Sequence, residues 1–127
     1  MIKLLLVDNE PTVLKGLRMR LSAEPDMTIV GEAADGTAAL ALARTLHPDV
    51  VLMDVEMPHP DGIAATKALH EICPHMAVIM LTMHDDAALR VRAEAAGVAA
   101  FVTKRAATDA LLTAIRQVSC KASNGSG

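Results

Sequence analysis

The chain is 127 residues long and 52% hydrophobic, which suits the core of one domain and leaves no room for a second. Its formal net charge of -3 argues against a direct nucleic-acid contact, because surfaces that bind nucleic acid carry clustered Lys and Arg. No stretch has the length and apolar character of a membrane span or a signal peptide. We therefore expect a cytoplasmic chain with no membrane partner.

Short apolar runs alternate with helical patterns in the first half of the chain. The apolar runs predict strands over residues 3–7, 28–33 and 50–54. Between them, one helix opens at Pro11 and a second covers residues 37–46. The third run has no polar alternation, which is typical of a strand buried on both faces in a parallel sheet.

The same alternation continues in the second half. The fourth helix should be weakly held, because its apolar face is mostly Ala with only Leu89 and Val91 as larger anchors. Beyond residue 120 we expect a flexible tail over residues 121–127, either a linker or residues left by cloning. The predicted elements are a helix over 63–72, a strand over 77–81, a helix capped by Asp85 or Asp86 and ending near Ala96, a strand over 99–103, and a helix from Thr108.

Five strands and five helices joined by short connections predict one doubly wound α/β domain over residues 1–120. Such units form right-handed crossovers, so the sheet should be parallel and covered by helices on both faces. Periodicity does not give the order of the strands.

Polar side chains follow the carboxyl ends of several predicted strands, where open α/β sheets bind ligands. A gathering of acidic oxygens requires a hard cation, and this donor set suits Mg²⁺. A nucleophilic carboxylate beside a hydroxyl and an ammonium suits phosphoryl transfer to that carboxylate. The residues are Asp8, Asn9 and Glu10 after the first strand, Asp54 after the third, Thr82 after the fourth and Lys104 after the fifth.

Four motifs at these strand ends resemble the receiver domain of two-component response regulators, and the resemblance runs from Ile2 to about Ser119. Within the family, Leu-Thr-Met-His-Asp-Asp looks most like the nitrate-regulator (NarL/FixJ) branch, which has LuxR-type output domains. The motifs are Leu-Val-Asp-Asn-Glu-Pro, Val-Leu-Met-Asp-Val-Glu-Met-Pro-His-Pro-Asp-Gly, Met-Leu-Thr-Met-His-Asp-Asp and Gly-Val-Ala-Ala-Phe-Val-Thr-Lys.

The resemblance implies a flavodoxin-like sheet of order 2-1-3-4-5 and a role for each matching residue. Asp54 would accept a phosphoryl group from a histidine kinase, and Lys104 would pair with that group. The hydroxyl of Thr82 would then move onto a phosphoryl oxygen. Phe101, the only aromatic residue of the chain, would turn inward into the vacated space.

The same resemblance implies a Mg²⁺ site with one departure from the family pattern. Asp8 and Asp54 would contribute carboxylates, and Glu56 would contribute its backbone carbonyl. Asn9 stands where the family more often has a second acid that binds the metal directly. An amide oxygen can still bind Mg²⁺, but one negative charge is missing, so we predict weaker metal binding.

The implied function is a phosphorylation-dependent signalling switch and not an enzyme with turnover. Its expected partners are a sensor histidine kinase and a second copy of the chain after phosphorylation. DNA would be contacted only through an effector domain outside this chain, as in a transcriptional regulator.

Other functions stay open at this point. Asn9 motivates a pseudo-receiver that works without phosphorylation, and a standalone receiver is also compatible with the sequence. An aspartyl-phosphate hydrolase of the haloacid dehalogenase type shares the residue types, but there the nucleophile follows the first strand. A flavodoxin-like cofactor carrier is disfavoured because Asp8 would repel a phosphate. A zinc site at His70, Cys73 and His75 is disfavoured because no matching second half exists.

Overall fold

A computed structural model describes residues 1–57, 61–83, 86–104 and 108–125, and every predicted strand and helix is present in it. Strands and helices alternate along the chain. The elements are β1 (Ile2–Val7), α1 (Pro11–Leu21), β2 (Met27–Ala33), α2 (Gly36–Leu46), β3 (Val50–Asp54), α3 (Gly62–Ile72), β4 (Ala77–Thr82), α4 (Ala87–Ala95), β5 (Ala100–Thr103) and α5 (Thr108–Gly125).

The five strands form one parallel sheet in the order β2-β1-β3-β4-β5. Two neighbouring parallel strands have to be joined by a crossover connection, and each crossover here contains a helix. The predicted α/β class is confirmed, and so is the strand order that the family resemblance implied. The order places β3 at the centre of the sheet.

Alternate residues of β3 face opposite helical layers, because successive side chains of a strand point to opposite faces. Val51 and Met53 pack in a cluster with residues of α2, α3 and α4. Val50 and Leu52 pack in a second cluster with residues of α1 and α5. All four side chains are completely buried, which confirms that the sheet is the middle of three layers.

Helix α4 is only thinly attached to the sheet. Ala93 is its buried residue, and Leu89 is half-buried against the same cluster. Val91, predicted as a second anchor, is 65% exposed, so that prediction is wrong. Residues four apart share a helix face, so Leu89 and Ala93 face the core while Val91 points away. Asp86 caps this helix by accepting from the amide of Ala88 at 2.8 Å, whereas Asp85 lies outside the described residues.

Helix α5 continues to Gly125, so residues 121–125 are helical where we expected a flexible tail. No Pro or Gly lies between Thr108 and Asn124, and Lys121 and Ala122 are good helix formers. Residues 126–127 lie outside the described part of the chain, and a domain boundary at residue 120 stays a prediction. None of the described helices is both long enough and apolar enough to cross a membrane.

Two adjacent residues of α5 provide a test of how this helix packs on the sheet. Ile115 is completely buried in the α1 and α5 layer, whereas Arg116 lies at the surface and pairs with Glu24 and Asp26. Ile115→Ala should lower the free energy of unfolding in urea by about 2 to 5 kcal/mol, because it leaves a cavity. Arg116→Ala should cost less, because exposed ion pairs are screened by water. A larger loss from Arg116→Ala would contradict the described packing.

Candidate functional site

Three charged side chains meet at the carboxyl edge of the sheet. Asp8 follows β1, Asp54 ends β3 and Lys104 follows β5. Both carboxylates are only 1% exposed. The Lys104 ammonium nitrogen lies 2.9 Å from Oδ2 of Asp8 and 3.2 Å from Oδ1 of Asp54. The structure thus brings together three residues that are far apart in the sequence.

Backbone amides fix the direction of each carboxylate. Oδ1 of Asp54 accepts a hydrogen bond from the amide of Glu56 at 3.0 Å, and Oδ1 of Asp8 accepts one from the amide of Glu10 at 2.9 Å. An Asp that binds the amide two residues further on forms a local turn. Both acids are therefore oriented by the first residues of the loops that follow their strands.

Backbone packing brings the neighbouring loops close to this cluster. The amide of Lys104 donates to the carbonyl of Thr82 at 2.6 Å, which joins the ends of β4 and β5. A Cβ atom on Gly62 would overlap the carbonyl oxygen of Asp54 and lie 2.7 Å from Cα of Val55. Only Gly fits there, so Gly62 holds the start of α3 against the phosphoacceptor candidate. The helix predicted from the sequence begins one residue later, at Ile63, and no local pattern marked Gly62 for this contact.

Burial and charge shift the pKa values of this cluster. Burial raises the pKa of Asp54, and the nearby negative charge of Asp8 raises it further. The hydrogen bond from the Glu56 amide and the ammonium of Lys104 lower the pKa, but the net shift is upward. Burial works against the charged form of Lys104, but its hydrogen bond to Asp8 and both carboxylate charges outweigh it and raise its pKa. Two carboxylates and one ammonium together carry one net negative charge, so the cluster attracts a cation.

Thr82 is completely buried, and its hydroxyl donates to Oε1 of Glu56 at 3.2 Å. The amide of Met83 donates to the same oxygen, also at 3.2 Å. Glu56 itself is exposed. The family resemblance implied a role only for the backbone carbonyl of Glu56. The contact of its carboxylate joins two separate loops, so it leaves no local signal in the sequence.

Phe101 is half-buried and packs against the cluster that includes residues of α2, α3 and α4. The guanidinium carbon of Arg90 lies 4.8 Å from the centroid of its ring, within the range of a cation–π interaction. Arg90 belongs to α4, so this contact connects the least anchored helix to the aromatic residue of β5. No sequence signal pointed to Arg90.

The donor set at this edge suits a hard cation. Within residues 1–57, 61–83, 86–104 and 108–125, no group of three or more His, Cys, Asp or Glu side chains is placed to hold a metal ion. Further ligands would therefore have to be neutral oxygens beside Asp8 and Asp54. Carbonyl, amide and water oxygens with one or two carboxylates are typical of Mg²⁺ sites. Asn9 is exposed next to Asp8.

The sequence matches the family model described as the response regulator receiver domain over residues 4–116. The chain belongs to this family. Among solved structures, a LuxR-family two-component response regulator from Aurantimonas is 34% identical, with a TM-score of 0.90. The match covers 94% of this chain and 85% of that one.

Curated relatives of this receiver domain are about twice its length. The response regulator GacA of Pseudomonas aeruginosa is 40% identical over 118 residues, which cover 93% of this chain and 55% of GacA. An uncharacterized transcriptional regulatory protein of Bacillus subtilis, YxjL, is 37% identical over 115 residues, covering 91% of this chain and 53% of YxjL. These matches confirm the family resemblance and its LuxR-type branch. The chain spans about half the length of the curated relatives it matches.

Removal of the Asp54 charge should stabilise the fold. Because its folded pKa is raised, the ionised carboxylate costs stability at pH values above the ordinary Asp pKa of about 3.9. Asp54→Asn should therefore raise the free energy of unfolding at pH 7, while Lys104 keeps Asp8 as its partner. This gain should disappear as the pH falls below about 4, where both states of the wild type are protonated. Urea unfolding at several pH values measures it.

The matched control is Asp35→Asn, which removes an exposed charge while keeping the cap on the amide of Ala38. Asn and Asp cap helices about equally well, so stability should change little. A destabilised Asp54→Asn protein at pH 7 would contradict the raised pKa.

Proposed function

We propose that Asp54 is the phosphoacceptor of this receiver domain and that a sensor histidine kinase is its donor. The observation that supports this assignment is the position of one buried carboxylate at the end of the central strand. Its Oδ1 lies 3.2 Å from the ammonium of Lys104, at the sheet edge where the acids converge. The same edge holds Asp8 and the hydroxyl of Thr82.

In the proposed transfer, a carboxylate oxygen of Asp54 attacks the phosphorus of a phosphohistidine from the side opposite the imidazole nitrogen. The oxygen–phosphorus bond forms as the nitrogen–phosphorus bond breaks, and the electron pair of that bond returns to the imidazole. Burial makes the Asp54 carboxylate more basic. Lys104 keeps it ionised and neutralises charge on the phosphoryl oxygens.

Mg²⁺ would be held by the carboxylates of Asp8 and Asp54, the backbone carbonyl of Glu56 and the amide oxygen of Asn9. When bound, the ion neutralises negative charge on the phosphoryl group. The net negative charge of the Asp8, Asp54 and Lys104 cluster supports this assignment. Asn9 adds an oxygen without a charge, so we expect the affinity for Mg²⁺ to be modest.

The switch that reads phosphorylation would consist of Thr82 and Phe101. After transfer, the hydroxyl of Thr82 leaves Glu56 and donates to a phosphoryl oxygen. The space that it vacates then admits the ring of Phe101, which turns inward and leaves the guanidinium of Arg90. A thinly attached helix α4 suits such a change, because loosely packed elements rearrange at low cost.

The biological role would be regulation of transcription by a protein longer than this chain. The relatives YxjL and GacA are a transcriptional regulatory protein and a response regulator, and this chain matches about half of each. We propose that phosphorylation promotes homodimerisation and that DNA is contacted by a separate effector domain. The receiver itself would act as a switch, promoting only its own phosphotransfer and dephosphorylation.

Incubation with acetyl phosphate and millimolar Mg²⁺ should add one phosphoryl group to the wild-type protein, seen by intact-protein mass spectrometry. Asp54→Asn should abolish the gain because the nucleophile is lost, and Lys104→Ala should reduce it strongly. Asp35→Asn should behave as the wild type. Phosphorylation that persists in Asp54→Asn would contradict the acceptor assignment, and an unresponsive wild type would favour a pseudo-receiver.

Placing an acid at position 9, as in the family pattern, should strengthen Mg²⁺ binding. Asn9→Asp adds a charged ligand beside Asp8, so the dissociation constant for Mg²⁺ should fall by about threefold to tenfold, because ligand charge tunes such sites. Isothermal titration calorimetry with MgCl₂ measures the change. Asn124→Asp makes the same substitution near the end of α5 and should leave the constant unchanged. An equal effect of both substitutions would argue against Asn9 as a ligand.

A further inference from the structure

Glu56 connects the loop after β3 to the end of β4 through a single carboxylate oxygen. Its Oε1 accepts the hydroxyl of Thr82 and the amide of Met83, each at 3.2 Å. Thr82 is completely buried, whereas Glu56 is exposed. The carboxylate therefore reaches back from the surface to the buried hydroxyl that the proposed switch uses.

This contact competes with the phosphorylated arrangement. A Thr hydroxyl carries one hydrogen, so while it donates to Glu56 it does not donate to a phosphoryl oxygen. The backbone amide of Glu56 also donates to Oδ1 of Asp54 at 3.0 Å. The residue thus touches the proposed acceptor with its main chain and the proposed switch with its side chain.

Charge repulsion, like the hydrogen bond between Thr82 and Glu56, disfavours the phosphorylated arrangement. A phosphoryl group carries nearly two negative charges, and Glu56 adds a third, two residues along the chain from Asp54. Like charges repel each other, and the hydrogen bond from the Glu56 amide to Asp54 keeps the two residues close. Release of Thr82 from Glu56 is therefore a step that phosphorylation has to drive.

We propose that Glu56 is a positioning residue that holds Thr82 and Met83 in the resting arrangement and thereby lowers the population of the activated state. This inference rests on the proposed phosphorylation of Asp54. It concerns the side chain of Glu56 and is separate from the expected role of its backbone carbonyl at the metal site.

Beryllofluoride, an unreactive mimic of the phosphoryl group, provides the test on the whole chain at saturating Mg²⁺. Glu56→Ala should lower the apparent dissociation constant for beryllofluoride by about threefold to tenfold, the range expected for one hydrogen bond lost from the resting state. Glu56→Gln keeps an acceptor oxygen and should lie between Glu56→Ala and the wild type. A titration followed by ¹H–¹⁵N NMR measures the constants.

The matched control is Glu10→Ala. Glu10 is an exposed acid at the same edge of the sheet, and its side chain makes no capping hydrogen bond to α1. The substitution removes the same charge without touching the Thr82 contact, so affinity for beryllofluoride should change less than in Glu56→Ala. An equal gain in both variants would overturn the inference in favour of general charge repulsion.

A second measurement follows the hydrogen bond from the Met83 amide to Glu56 directly, without any ligand. The amide of Met83 should exchange with solvent faster in Glu56→Ala than in the wild type, because its acceptor is gone, and Glu10→Ala should preserve its protection. Beryllofluoride affinity that is unchanged or weaker in Glu56→Ala, while the wild type responds, overturns this inference alone. A wild-type protein that binds no beryllofluoride overturns the proposed function itself.

Discussion

The interaction on which this structure depends is the contact of Lys104 with both buried acids at the carboxyl edge of the sheet. Two carboxylates that are each 1% exposed are costly unless a positive charge lies beside them. Strand β4 lies between β3 and β5, so the strands of Asp54 and Lys104 are two spacings apart, roughly 10 Å, and β1, which leads to Asp8, lies one strand further. The charge contact therefore depends on the strand order, which brings the ends of β1, β3 and β5 to the same edge of one sheet.

Groups at this edge have opposite effects on the charge of Asp54 and on the position of Thr82, which suits a switch. Burial and Asp8 disfavour a charged Asp54, while Lys104 and the Glu56 amide favour it. Thr82 is held by a carboxylate that a new negative charge would repel. Contacts balanced in this way suit a site with two arrangements, between which one added charged group can select.

The layers around the site differ in how firmly they are attached. Helices α1 and α5 cover one face through large side chains such as Leu17, Leu21 and Ile115. Helix α4 contributes Ala93 as its buried residue and faces Phe101 through Arg90. The least anchored helix thus lies beside the residues that the proposed switch moves, and it is the element best suited to relay a change.

Local patterns in the sequence determined the strands, the helices and the candidate acids, because apolar runs and strand-end polar residues are visible within a few positions. The buried character of β3 and the edge that holds Asp8, Asp54, Thr82 and Lys104 followed from these patterns, and the family resemblance supplied the strand order. Only the tertiary structure decided that Val91 faces solvent, that Gly62 supports Asp54, and that the Glu56 carboxylate binds Thr82. Each of these depends on which distant segments pack together, and no local pattern records that.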